Sequence, residues 1–117
     1  MPRDDAARAA RTSKLGSLAV RSEREGDAHV IELVGELDLD GAPRLEEELR
    51  RAEASDVDSI VVDLGKLEFI DSTGIRLLVM ASERCPEGRF ALLRGPKQVH
   101  RVFEITDLVD RLPFVDA

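Results

Sequence analysis

The spacing of apolar positions changes several times along this chain, and each change marks an element. From Leu18 and Val20 the apolar and polar residues alternate with the two-residue period of a half-buried strand, which ends at Glu25-Gly26-Asp27. Val30, Ile31, Leu33 and Val34 form a second strand stopped at Gly35, so the pair reads as an antiparallel hairpin. Gly35-Glu36-Leu37-Asp38-Leu39-Asp40-Gly41-Ala42-Pro43 is then a strand end, a loop and a helix start, with Pro43 suited to a first helical turn. Leu45, Leu49 and Ala52 follow at i, i+4 and i+7, and acids precede Arg50 and Arg51 in the order the helix dipole favours.

Ser59-Ile-Val-Val-Asp-Leu64 is a short β-branched strand, apolar enough to be central and buried on both faces. Leu67-Glu68-Phe69-Ile70 is a strand-like or turn-like run that stops at Asp71. After Ser72, Thr73 and Gly74, the residues Ile75, Leu77, Leu78, Val79, Met80 and Ala81 make a helix apolar around much of its circumference. Such a helix is expected between the sheet and another element. Pro86-Glu87-Gly88 turns the chain, and Phe90 to Leu93 is a further strand closed by Gly95-Pro96. Val99, Val102 and Phe103 stripe a third helix, and Leu112 to Val115 is a short edge strand, where Pro113 is tolerated. The order β-β-α-β-α-β-α-β predicts an α/β sheet with parallel central strands and right-handed crossovers.

Composition narrows the function classes. A chain of 117 residues is one domain, able to bury about 65% of its unfolded surface. No apolar run approaches the length of a membrane span, and residues 1–14, charged and alanine-rich, lack the apolar centre of a signal peptide, so a cytoplasmic protein without membrane partners is expected. Residues 1–14 carry a net +2 and read as a polar, flexible tail; residues 15–117 form the domain and hold −9 of the overall −7 balance. An acidic body with no Trp, no Tyr and four Phe has neither the basic groove nor the stacking platform of a nucleic-acid binder. Cys85, the single cysteine, precedes Pro86 with no histidine nearby to activate it.

The chemistry concentrates at Asp71-Ser72-Thr73-Gly74. Ser or Thr as helix N-cap, with Gly74 giving room for a tight turn, is the plainest reading. A serine nucleophile would need a base and an oxyanion hole, and His29 and His100 lie in no recognisable signature. A nucleotide loop would need more glycines and a lysine. A phosphate on Ser72 would add about −1.5 to −2 charges beside Asp71, partly offset by the helix dipole, and would repel a docked partner without refolding the domain. The residues alone leave the cap and the switch both open. Asp38 and Asp40 lack further carboxylates at calcium-loop spacing, so a helix-start role is expected for them.

The three segments Gly35-Glu36-Leu37-Asp38, Ile60-Val61-Val62-Asp63-Leu64 and Phe69-Ile70-Asp71-Ser72-Thr73-Gly74 together resemble the STAS domain, and within it the bacterial anti-sigma factor antagonists. The resemblance implies a SpoIIAA-like fold: a mixed sheet of about five strands with helices mainly on one side. It also implies a non-enzymatic regulator, with no cofactor or metal of its own, acting as a monomer or weak dimer. Its expected partners are an anti-sigma factor serine kinase, captured by the unphosphorylated form to release a sigma factor, and transiently a serine phosphatase. Ser72 is the implied phosphoacceptor, with Asp38, Asp71, Thr73, Gly74 and Arg76 as docking residues. Two features depart from the family pattern: Gly41 stands where a threonine often begins the helix, and Arg76 stands where some members keep a small residue. Two other classes compete: a STAS scaffold or sensor subunit of a signalling or lipid-transport complex, with Ser72 structural, and a small enzyme acting through Ser72.

Overall fold

The computed structural model describes residues 11–116, with side chains from residue 16 onward. Six strands form one sheet in sequential order. They are β1 (Arg11–Leu15), β2 (Leu18–Glu25), β3 (Ala28–Leu37), β4 (Ser59–Ile70), β5 (Phe90–Leu93) and β6 (Phe114–Val115). The described helices are α1 (Ala42–Glu53), α2 (Ser72–Arg84) and α3 (Lys97–Ile105), and a 3-10 turn spans Val109–Arg111. β1–β2 and β2–β3 pair antiparallel; β3–β4, β4–β5 and β5–β6 pair parallel.

The predicted element order holds, with one strand added in front. Residues 11–14, expected in a flexible tail, instead pair with β2 from Arg11↔Ser22 to Leu15↔Leu18. The remainder of that expectation, residues 1–10, lies outside the described residues. Both hairpins close through two-residue loops, Gly16-Ser17 and Gly26-Asp27, with glycine φ of 63° and 61° at the first position, where a tight hairpin favours glycine.

Alternation places the core on one face of the sheet. Leu18, Val20, Ile31, Leu33, Ile60, Val62, Leu64 and Leu92 are buried beneath the helices. Leu45, Leu49 and Ala52 of α1 and Ile75, Leu78 and Ala81 of α2 join the same cluster, as do Val99 and Phe103 of α3. Phe103 meets Phe114 of β6 edge-on at 5.1 Å, which fixes α3 to this side as well. The other face carries no described helix: Val30, Glu32, Val61 and Asp63 are half-buried there. The strand expected to be buried on both faces is therefore covered on one, and its outward Val61 extends the strand without entering the core.

β4 also runs farther than its apolar pattern suggests, through Gly65-Lys66 to Ile70. Irregularities between Glu32 and Val34 and between Gly35 and Glu36 let β3 stay paired with it up to Leu37↔Ile70. Gly35 has φ 102°, and a β-carbon there would fall 2.2 Å from the Ser17 carbonyl oxygen, so this irregularity requires glycine. The helix α2 lies beside α1, joined by a two-pronged Arg84–Glu53 pair at 2.9 and 2.8 Å. Its other flank meets Leu108 and Leu112, while Met80 faces outward. Arg89 reaches from the β5 approach to the carbonyls of Glu53, Ser55 and Val57, holding the C-terminal end of α1.

Candidate functional site

The parallel pairing of β3 with β4 brings two distant segments together. Leu37 and Ile70 are register partners, and the Asp71 amide donates to the Leu37 carbonyl at 3.1 Å. Asp38 and Asp71 are thus the first residues beyond two adjacent strand ends. Each carboxylate then organises the helix that follows it. Asp38 Oδ1 accepts from the Asp40 and Gly41 amides, both at 3.1 Å, and shapes the turn into α1. Asp71 Oδ1 accepts from the Thr73 amide at 2.9 Å and the Gly74 amide at 3.1 Å.

The N-cap of α2 is therefore Asp71, not Ser72 or Thr73. An aspartate in extended conformation just before the helix is an effective cap, and the hydroxyl residues move inward by one and two positions. Ser72 becomes the first helical residue, exposed and without a side-chain hydrogen bond to a described residue. Thr73 is half-buried in the first turn. A phosphate on Ser72 would not meet a full set of free amides, because Asp71 already holds two of them. It would meet a carboxylate.

Gly74, expected among the docking residues, is buried, and its role is packing. A β-carbon there would lie 2.5 Å from Leu37 Cγ and 3.1 Å from Ile70 Cγ1. Glycine lets the first turn of α2 settle onto the ends of β3 and β4, which presses Ser72 up to the surface. Arg76 is exposed one turn beyond Ser72 and makes no ion pair with a described residue. Ser72, Arg76 and Met80 recur at i, i+4 and i+8, so they form one exposed ridge of α2.

Two residues not anticipated from the sequence complete the surface. Leu39 is 70% exposed on the loop after Asp38, and Phe69 is 48% exposed two residues before Asp71. The signal was available, since Leu39 stands alone between aspartates and Phe69 follows an acid at the strand's end. The site is thus an exposed hydroxyl at strand ends shared by two aspartates, with an exposed apolar residue close to each aspartate in the chain. One oxygen of each carboxylate is engaged by backbone amides, and among the described residues no group of three or more His, Cys, Asp or Glu is arranged around a metal position.

The histidines lie elsewhere. His29 Nε2 is 3.1 Å from Glu48 Oε2 beneath α1, and His100 packs against Phe103 and Phe114. Glu48, only 2% exposed, is held down to about 2. The hydrogen bond with His29 is the largest cause, burial opposes it, and Ser22, the His29 charge and Arg51 add to the lowering. Cys85 is buried, and that burial pushes its thiol up, away from reactivity.

Comparison with known proteins agrees with this geometry. The family model described as Mlab, STAS domain matches residues 20–115. The anti-sigma-B factor antagonist of Listeria monocytogenes is 32% identical over 90 residues, covering 75% of this chain and 79% of that protein. Among solved structures, an anti-sigma factor antagonist from Mycobacterium paratuberculosis superposes with a TM-score of 0.80 at 24% identity, over 86% of this chain and 87% of that one. The anti-sigma factor antagonist SpoIIAA in its unphosphorylated form gives 0.68 at 27% identity, over 84% and 87%. With its sheet order, its Asp38 and Asp71 strand ends and its capped Ser72 in place, the chain belongs to the STAS domain family, among the anti-sigma factor antagonists.

Proposed function

We propose that this protein captures an anti-sigma factor serine kinase through the Ser72 surface and is released when that kinase phosphorylates Ser72. One observation carries the reading: the Ser72 hydroxyl is exposed on an aspartate-capped helix start, at the paired strand ends that set Asp38 beside Asp71, with Leu39 and Phe69 exposed close to them along the chain. Before phosphorylation the apolar pair can be covered and the hydroxyl presented to an active site. Afterwards a dianion stands beside Asp71, whose carboxylate already occupies the Thr73 and Gly74 amides. A partner covering that surface must then desolvate adjoining negative charges, which is strongly unfavourable. The chain brings no catalytic group to the transfer; nucleotide, metal and base belong to the kinase. Thr73, half-buried in the first turn, is the less accessible hydroxyl.

Arg76 has a defined part in this reading. One turn above Ser72, it is placed to pair with a phosphate there and draw it away from the partner. The test is intact-mass spectrometry after incubation with a candidate anti-sigma kinase and Mg-ATP. The wild type should gain one phosphate, Thr73→Ala should still gain it, and Ser72→Ala should not. Phosphate appearing on Ser72→Ala, or on no variant with any such kinase, sinks the proposal and leaves Ser72 as the surface residue of a STAS scaffold.

A further inference from the structure

The two hairpin turns share a backbone feature but differ in surroundings. Gly16-Ser17 joins β1 to β2 and Gly26-Asp27 joins β2 to β3, with the glycine φ at 63° and 61°. A β-carbon on Gly26 would meet nothing within 4 Å. On Gly16 it would lie 3.0 Å from Asp40 Cβ, 3.6 Å from the Asp40 carbonyl carbon and 3.7 Å from the Gly41 nitrogen. Glycine lets the first turn settle against the loop that leads from Asp38 into α1.

The same turn grips the other end of that segment. The Ser17 carbonyl accepts the Glu36 amide at 3.1 Å, and it lies 2.2 Å from the place of a β-carbon on Gly35. The turn therefore touches the chain at Gly35-Glu36 and again at Asp40-Gly41. Asp38 and the exposed Leu39 lie between these two points. The peptide that Gly16 abuts is one that Asp38 uses, since Asp38 Oδ1 accepts the Asp40 and Gly41 amides. A shift of Asp40 is thus passed directly to the Asp38 turn.

Ser72 is held by other contacts. Asp71 caps α2, and Gly74 seats its first turn against Leu37 and Ile70. Among the described residues, neither Gly16 nor Ser17 hydrogen-bonds to that seat. Both turn residues are exposed, at the end of the sheet where β3 leads into the Asp38 loop.

We propose that Gly16 and Ser17 are positioning residues for partner capture: their turn holds the Asp38–Gly41 loop in the shape that the anti-sigma factor kinase docks against. This inference rests on the Ser72 reading and adds to it the hairpin edge of the sheet, which that reading leaves without a role. A loop fixed at both ends needs less ordering when a partner covers it, so binding is tighter. The effect falls on how much complex forms, and not on phosphoryl transfer within the complex. Its loss therefore appears in KM while kcat is kept.

The test is steady-state phosphorylation of the full-length chain, with Mg-ATP, by an anti-sigma factor kinase that phosphorylates its Ser72. Gly16→Ala should raise KM by about fivefold or more and keep kcat within about twofold. Gly26→Ala carries the same φ strain without the contact, so it should lower the urea midpoint yet leave KM unchanged. Asp40→Gly removes the β-carbon that Gly16 abuts, and in that background Gly16→Ala should raise KM no further. In 15N spectra of the free chain, the Asp40 and Gly41 amides should move in Gly16→Ala and stay in place in Gly26→Ala. Unmoved amides, an unchanged KM, an equal rise for Gly26→Ala, or a rise that persists beside Asp40→Gly each overturns the proposal. A wild type that gains no phosphate on Ser72 from any such kinase overturns the Ser72 reading first, and this inference falls with it.

Discussion

Two helices begin near the carboxyl ends of neighbouring strands, and they treat their free amides in opposite ways. At α2, Asp71 fills the Thr73 and Gly74 amides with its own carboxylate. At α3, Pro96 has no side chain to cap with; its carbonyl takes the Val99 and His100 amides, and the Lys97 and Gln98 amides meet no described acceptor. A closed N-terminus cannot also receive an anion, so negative charge added at Ser72 projects outward to act on whatever is docked there. At α3 no side-chain cap answers the dipole, and Lys97 adds a positive charge to it. The residue preceding each helix thus decides whether its positive end is neutralised from within the chain.

The largest expected effect comes from disturbing the seat of α2. Gly74→Ala places a methyl group where Leu37 Cγ already lies 2.5 Å away and Ile70 Cγ1 3.1 Å away, both buried side chains at the ends of β3 and β4. Overpacking of this kind should cost about 3 kcal/mol, seen as a lowered urea midpoint, and should loosen the Ser72 surface at the same time. A variant with unchanged midpoint would show that α2 does not depend on this close approach.

The response of the fold to acid rests on the buried Glu48 beneath α1. With the folded-state value lowered to about 2 from the ordinary 4.5, the unfolded chain binds this proton at higher pH than the folded one. Its contribution is therefore complete above about pH 4.5 and is lost as the pH falls toward 2, amounting to about 3 kcal/mol. Glu48→Gln should flatten the stability profile across that window in urea denaturation at successive pH values. A profile as steep as wild type would assign the acid limb to other carboxylates.

Much of this architecture was legible because it rests on local pattern. The hairpin loops, the α1 stripe and the Ser59–Leu64 run each announce themselves within a few residues. β1 did not, because Arg-Thr-Ser-Lys-Leu has no apolar alternation and becomes a strand only by pairing with β2. The extension of β4 past Gly65 was hidden for a similar reason, since the irregularities that absorb it belong to β3. At the candidate site the motif located the helix start but offered Ser72 or Thr73 as the cap, where the structure uses Asp71; aspartate, serine and threonine are all good cap formers, so residue type does not choose among them. Leu37↔Ile70 register settled it and set Asp38 beside Asp71. Glu48 carried a readable sign, standing on the same helical stripe as Leu45, Leu49 and Ala52, although its partner His29 is 19 residues away.

A smaller change opens α2 in the way α3 is open. Asp71→Ala removes the acceptor from the Thr73 and Gly74 amides and should cost about 1 kcal/mol, whereas Asp71→Asn keeps a carbonyl oxygen in reach and should lose less. Thermal unfolding of the two variants side by side checks this. Equal losses would mean that Asp71 contributes through charge alone, and that its side-chain geometry at the cap is incidental.

The smallest effect tests the other side of the comparison. Lys97 is a cation in the first turn of α3, where the dipole makes positive charge unfavourable. Lys97→Glu reverses that charge and places an acid four residues before Arg101, the favoured order for a helical pair. The variant should unfold at slightly higher temperature, by a gain of about 0.5 kcal/mol. An unchanged unfolding temperature would show that charge at this end of α3 carries no weight, and that the difference between the two helices rests on the Asp71 hydrogen bonds alone.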